Sequence, residues 1–227
     1  MRSAEYFGIS TCLRKLGVDS IRRIIYLMAV IVLAAACGKA KEEAVLLPGS
    51  QVLALGDSLT EGAGVTPDEA WPNLLASRTG WVVINGGVSG DTSGTALQRL
   101  PALLEQHNPV LVLVALGGND MLRHIPREET IANLGLILTQ IKAHGAKAVL
   151  LGTPKPSVAG AVFRNLSAPD FYRRVAEEHQ VPLIENAVAD VLSDPLMKGD
   201  PLHPNVAGHT LLSKKLFDAL KSIGYAR

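Results

Sequence analysis

From Gln51 onward, short apolar runs alternate with longer amphipathic stretches, and this alternation limits the possible folds more than any other feature of the chain. The runs Val52 to Leu55, Val82 to Asn85, Val110 to Leu116, Ala148 to Gly152 and Pro182 to Glu185 are continuous rather than alternating in polarity. Each reads as a strand covered on both faces, the condition of a parallel sheet. Between them, Thr130 to His144 puts Ile131, Leu134, Leu138 and Ile141 on one helical face and stops at Gly145, a usual residue just past a helix end. Ser93 to His107 is similar but carries Pro101, which predicts a kink or a break. Pro204 to Ile223 opens with proline at the expected first helical position, runs through Val206, Leu212, Leu216 and Leu220, and ends at Gly224. Strand and helix in alternation imply right-handed crossovers and a three-layer α/β/α sandwich around a five-stranded parallel sheet. In such folds ligands bind beyond the carboxyl ends of the strands.

A chain of 227 residues that is 48% hydrophobic supports one well-buried core. Its 22 basic and 21 acidic residues leave a net charge of +1, so neither sign is in excess and nucleic acid is not an expected partner. Both cysteines, Cys12 and Cys37, precede the folded region, which therefore has no thiol for a disulfide, a zinc site or a cysteine nucleophile. Covalent chemistry there has to use oxygen or nitrogen.

Arg22 and Arg23 precede an apolar run from Ile24 to Ala36, shorter than the roughly 20 residues of a spanning helix, and it reads as a signal-peptide core. Ala34, Ala35 and Ala36 are followed directly by Cys37, which resembles a bacterial lipoprotein cleavage site. Ala34 stands where such sites usually have leucine, with Leu33 one place earlier. The resemblance implies a lipidated Cys37 and attachment to a membrane, in the periplasm or at the outer membrane. The alternative is an ordinary secretory signal cut at the same bond, leaving Cys37 as a free thiol. Residues 1–17 lie far ahead of the basic pair for a signal peptide, which suggests a start near Val18. The expected organisation is a signal segment over 1–37, a solvated tether over 38–50 and one domain over 51–224.

Four short blocks fall after expected strands. Gly56-Asp57-Ser58-Leu59-Thr60 ends the first and leaves a serine at the mouth of the sheet, although Gly-Asp-Ser is also an ordinary turn or helix-cap sequence. Gly87-Val88-Ser89-Gly90-Asp91-Thr92 follows the second, and Gly90 lets a backbone N–H approach a substrate oxygen unobstructed. Gly117-Gly118-Asn119-Asp120 follows the third, with Asn119 able to aim its amide into a site; each of these two loops also reads as an ordinary helix entry, with Asn119 or Asp120 capping. Asp200-Pro201-Leu202-His203-Pro204 lies near the chain end. One local turn there brings a carboxylate to an imidazole N–H, as in a serine hydrolase triad; alone, the same spacing also suits a turn residue beside a surface histidine. His209, inside the last helix, reads as structural.

In order and spacing, these blocks resemble the GDSL family of lipases and esterases, also called SGNH hydrolases, over about residues 51–224. The resemblance implies a flavodoxin-like sandwich and assigns Ser58 as nucleophile, His203 as general base and Asp200 as the acid that orients it. It also implies an oxyanion hole built from Ser58, Gly90 and Asn119. Within the family, the wording SGDTS followed by LQRLPALL is similar to periplasmic thioesterases, lysophospholipases and bacterial arylesterases, which implies acyl esters or thioesters of modest size. Asp57 and the loop residues Met121, Leu122 and Ile125 are the expected substrate contacts. No metal or organic cofactor is implied, and a monomer is expected.

Other classes fit less well. A flavin or nucleotide site at the same sheet edge needs a phosphate cradle, and Asp57 and Glu61 would repel phosphate from this one. A scaffold without turnover would not need the complete set of side chains. An O-acetyl esterase acting on envelope polysaccharide remains open, because neither fold nor triad encodes the alcohol half of the substrate.

Overall fold

The computed structural model describes residues 45–155 and 165–227; the expected signal segment, Cys37 and most of the tether lie outside the described residues. Five strands form one sheet: β1 (Gln51–Gly56), β2 (Val82–Gly87), β3 (Leu111–Ala115), β4 (Lys147–Leu151) and β5 (Leu183–Ile184). Every pairing is parallel and the spatial order is β2-β1-β3-β4-β5. That order makes β1 and β3 the point where the winding direction reverses, and the loops leaving them diverge to open a crevice.

Period-two geometry sends alternate side chains of each strand to opposite layers. Val52 and Ala54 of β1, with Leu111 and Leu113 of β3, pack under Trp71, Leu75, Leu212, Leu216 and Leu220. Those residues belong to α2 (Trp71–Thr79) and α8 (Val206–Ile223). Leu53, Leu55, Val112 and Val114 face the other way, under Leu100, Leu104, Leu134, Leu138 and Ile141. This second layer comprises α3 (Ser93–His107), α5 (Arg127–His144) and α6 (Phe171–His179). Three short helices, α1 (Ser58–Glu61), α4 (Gly118–Leu122) and α7 (Ala187–Ser193), follow β1, β3 and β5 directly. Among the described residues, no helix is long and apolar enough to cross a membrane.

Of the kink or break expected at Pro101, the break does not occur: α3 runs for 15 residues with the proline inside it. Ala96, Leu100 and Leu104 are anchored in the core on both sides of the proline, so burial holds the helix through the missing backbone bond. Pro204 is not the first helical residue. It pairs with Lys198 in an antiparallel bridge, and Asn205 caps α8 by accepting a hydrogen bond from Gly208 N at 2.9 Å. His209 is fully buried and accepts from Trp71 N at 3.3 Å, joining α8 to the start of α2. Burial pushes its imidazole down to about 4, so the ring is neutral near pH 7.

The carboxyl end of β2 lies against α1 so closely that a Cβ on Gly87 would fall 2.1 Å from Glu61 N and 2.6 Å from Glu61 Cα. Both obstacles are backbone and cannot rotate away. Gly87→Ala is therefore expected to destabilise by about 1–3 kcal/mol, because α1 has to shift to make room. Thermal melts check this; unchanged melting would contradict the close approach.

Candidate active site

Ser58 leads a four-residue helix immediately after β1. The turn into it is tight: a Cβ on Gly56 would fall 2.1 Å from Thr60 Oγ1 and 3.0 Å from the Ala115 carbonyl. Asp57 caps the helix, accepting from Leu59 N at 3.0 Å. These constraints fix the first helical residue at the rim of a cleft of about 890 Å³.

His203 reaches the same cleft from the far end of the chain, on the segment before α8. Gly199 N donates to the His203 carbonyl at 3.0 Å, and Asn205 Nδ2 donates to the carbonyls of Leu196 (2.9 Å) and Lys198 (3.2 Å), so the segment is held by a backbone bond and by the Asn205 side chain. Asp200 Oδ1 accepts from Leu202 N at 2.7 Å and His203 N at 2.9 Å, while Oδ2 lies 2.8 Å from His203 Nδ1. A carboxylate only accepts, so Nδ1 carries the proton and Nε2 presents a lone pair. Ser58 Oγ lies 3.0 Å from that Nε2 and donates to it. Partial burial pushes the Asp200 carboxyl up, but the hydrogen bonds from the His203 ring and the two backbone N–H groups outweigh it and hold the group below its ordinary value. Asp200 is therefore ionised at neutral pH.

Asn119 lies in the first turn of α4, which Gly117 enters at φ 109. Its Nδ2 donates to the Asp91 carbonyl at 2.9 Å and to Asp57 Oδ2 at 3.3 Å. Both partners are acceptors, so the amino end of the amide must face them. Gly90 has φ +83, the left-handed region that favours glycine, and its carbonyl accepts from Arg123 Nη2 at 2.7 Å. Asp57 is only 2% exposed, and burial raises its carboxyl from the ordinary 3.8 to about 6 against the opposing pull of Leu59 N–H and His203.

Ser58, Gly90, Asn119 and His203 all line the cleft, together with apolar walls from Leu59, Leu122, Leu166, Leu192 and Leu202. Of the four expected substrate contacts, Asp57 and Leu122 line it. Met121 packs instead against the core layer beneath α3 and α5, and Ile125 is not part of the lining. Among the described residues, no cluster of His, Cys, Asp or Glu has the geometry to hold a metal ion.

Two further groups support the site: Asp120, which the sequence offers only as a helix cap, and Arg99, which it does not mark. Asp120 is fully buried and accepts from Ser93 N (2.9 Å), from Ser93 Oγ and from Thr130 Oγ1 (3.2 Å), tying the loop after β3 to the start of α3. Arg99 pairs with Asp91 at 2.6 Å. The adjacency of Asp120 to Asn119 was a usable signal. Nothing in the pattern of α3 separates Arg99 from an ordinary solvated cation.

A parallel α/β/α sandwich with this hydroxyl, imidazole and carboxylate at its carboxyl edge has the form of a serine-type hydrolase. Residues 54–211 match the GDSL-like Lipase/Acylhydrolase family, and the chain belongs to it, as a GDSL-type esterase or lipase acting on carboxylic esters. It is 39% identical to an arylesterase of Vibrio mimicus over 160 residues, 68% of this chain and 80% of that protein. It is 41% identical to thioesterase 1/protease 1/lysophospholipase L1 of Escherichia coli K12 over 159 residues, 68% of this chain and 75% of that protein. Among solved structures it resembles the psychrotrophic esterase EstA of Pseudoalteromonas, inhibited by monoethylphosphonate, with TM-score 0.66 and 31% identity over 76% of this chain and 97% of that one.

The raised value of Asp57 has a signed consequence for stability. As pH rises, the unfolded chain ionises at about 3.8 and the folded one at about 6, so the fold loses stability between these values and the loss is constant above them. Asp57→Asn removes that cost. The variant is expected to gain on the parent protein progressively from about pH 4 to 6, reaching up to about 3 kcal/mol at neutral pH. Urea melts across this range check it; a gap independent of pH would contradict the assignment.

Proposed function

We propose that the protein hydrolyses carboxylic esters and thioesters with apolar acyl groups, such as aryl esters, short or medium acyl esters and lysophospholipids, by two acyl transfers through Ser58. The observation that carries this reading is the continuous chain of hydrogen bonds from Ser58 Oγ to His203 Nε2 (3.0 Å) and from His203 Nδ1 to Asp200 (2.8 Å). The names of the relatives, an arylesterase and a thioesterase/lysophospholipase, support the substrate range.

Ser58 Oγ attacks the carbonyl carbon as its proton passes to His203 Nε2, and Asp200 stabilises the imidazolium that forms. The negative charge on the carbonyl oxygen is met by the backbone N–H groups of Ser58 and Gly90 and by Asn119 Nδ2. Asn119 gives up the longer of its two bonds, 3.3 Å to Asp57, and keeps the 2.9 Å bond to Asp91 that orients it. His203 returns its proton to the leaving alcohol or thiol as the tetrahedral species collapses to the acyl-enzyme. Water, deprotonated by the same nitrogen, then releases the acid and restores Ser58.

The leucine-lined walls favour an alkyl or aryl acyl group over a bare acetyl, which ranks O-acetyl esterase activity on envelope polysaccharide second. From the sequence we also propose one hydrolase domain over 51–224, working as a monomer, exported and anchored through lipid on Cys37, which lies outside the described residues.

Ser58→Ala and His203→Ala are each expected to lower kcat on a chromogenic short-chain ester by on the order of a million-fold, because the relay acts as a unit. Asn119→Ala is expected to cost about a hundredfold to a thousandfold. Near-parental turnover by the Ser58 variant would overturn the mechanism. A panel of esters, thioesters and acetylated sugars ranks the substrates, and preference for the acetylated sugars would favour the second reading.

A further inference from the structure

The three oxyanion donors come from three separate loops, after β1, β2 and β3, and some physical link has to hold these loops in register. We infer that Arg99 is the positioning residue that does so: from α3, its single guanidinium bonds the end of β1, the end of β2 and the loop between Gly90 and α3. The inference rests on the oxyanion roles proposed above for Ser58, Gly90 and Asn119.

Arg99 Nη2 donates to the carbonyls of Gly56 (3.0 Å) and Gly86 (2.7 Å). Gly56 directly precedes Asp57 and Ser58, so this bond fixes the point from which the nucleophile's turn departs. Arg99 Nε donates to Asp91 Oδ2 at 2.6 Å, and Asp91 directly follows Gly90. Asp91 is held further by Thr95 Oγ1, which donates to Oδ1 at 2.9 Å. Its own carbonyl then accepts from Asn119 Nδ2 at 2.9 Å. One cation thus reaches the first two donor loops directly and the third through one residue.

Arg99 adds to the ladder rather than replacing it: the Gly56 carbonyl already accepts from Val88 N at 3.1 Å, and the guanidinium takes its second lone pair, tying the strand ends to each other and to Asp91. The site is largely shielded, with the Arg99 and Asp91 side chains 24% and 9% exposed, so the pair is stronger than a surface ion pair. The chemistry is specific to arginine. A planar fork donates in several fixed directions at once, whereas the lysine ammonium is a point charge that cannot span these acceptors in the same geometry.

The test is kinetic, on the full chain with a short-chain chromogenic ester. Arg99→Lys and Asp91→Asn are each expected to lower kcat by about tenfold to a hundredfold, the cost of misplacing reacting groups, with KM within about threefold of the parent. In an Asn119→Ala background the same Arg99→Lys change is expected to cost less than about threefold, because one donor it positions is already gone and the effects are not additive. A purely structural tie between helix and sheet would lower Tm and give the same fold-loss in both backgrounds, and that additive result overturns the inference. So does an Arg99→Lys or Asp91→Asn protein with kcat within threefold of the parent. Ser58→Ala measured alongside separates the two layers: turnover by that variant removes the serine mechanism itself, whereas an inactive Ser58→Ala beside a fully active Arg99→Lys removes only the role of Arg99.

Discussion

The hydrogen bond between Ser58 Oγ and His203 Nε2 joins residues 145 apart, and the rest of the molecule can be understood as the apparatus that makes it possible. Neither side chain is rigid alone. Ser58 is fixed because β1 ends in a turn too crowded for any residue but glycine at position 56, with Asp57 capping the helix that follows. His203 is fixed because Asp200 takes hold of it twice, through its backbone N–H and its ring, while Asn205 pins the segment from below. The parallel sheet supplies the common edge at which these two local structures meet, and the two apolar layers set the positions of β1 and α8.

Around that bond the fold buries three carboxyl groups. Asp57, Asp91 and Asp120 are each less than a tenth exposed. Asp91 is neutralised by Arg99, and Asp120 is satisfied by Ser93 and Thr130. Asp57 is the least well compensated, and its raised value of about 6 is the physical mark of that. Stability given up at a functional site is expected where a polar arrangement has to be kept dry and oriented. His209 works in the opposite sense. Its ring is held neutral down to about pH 4, so the fold loses stability as pH falls from the ordinary 6.5 toward that value, while Asp57 restores some over an overlapping range.

β1, β3 and β4 could be read from sequence because a strand buried on both faces leaves a run of apolar residues; β2 carries a similar run but is not covered on both faces, because it lies at the sheet edge with Val82 47% exposed. The five runs locate the five strands to within a residue or two at each end. Ser58, Gly90 and Asn119 could be read because each follows such a run in a glycine-rich block; Asp200 and His203 follow a helix instead and are legible only through their three-residue spacing. What sequence could not resolve was decided by tertiary packing. Pro101 stays within α3 because leucines on either side of it are buried, and Met121 turns inward although its neighbour Leu122 faces the cleft. Arg99 was invisible for the same reason: a cation in an amphipathic helix shows its purpose only when the strand ends it reaches are in view.

The central claim is that His203 activates Ser58 for attack. Treating the protein with an alkyl fluorophosphonate and mapping the added mass by peptide mass spectrometry tests it most directly, since the reagent captures an activated hydroxyl without any assumption about the natural substrate. The account predicts a single adduct on the peptide containing Ser58, formed quickly in the parent protein and very slowly in His203→Ala. An adduct on another residue, or equally rapid labelling of Ser58 without His203, would contradict it.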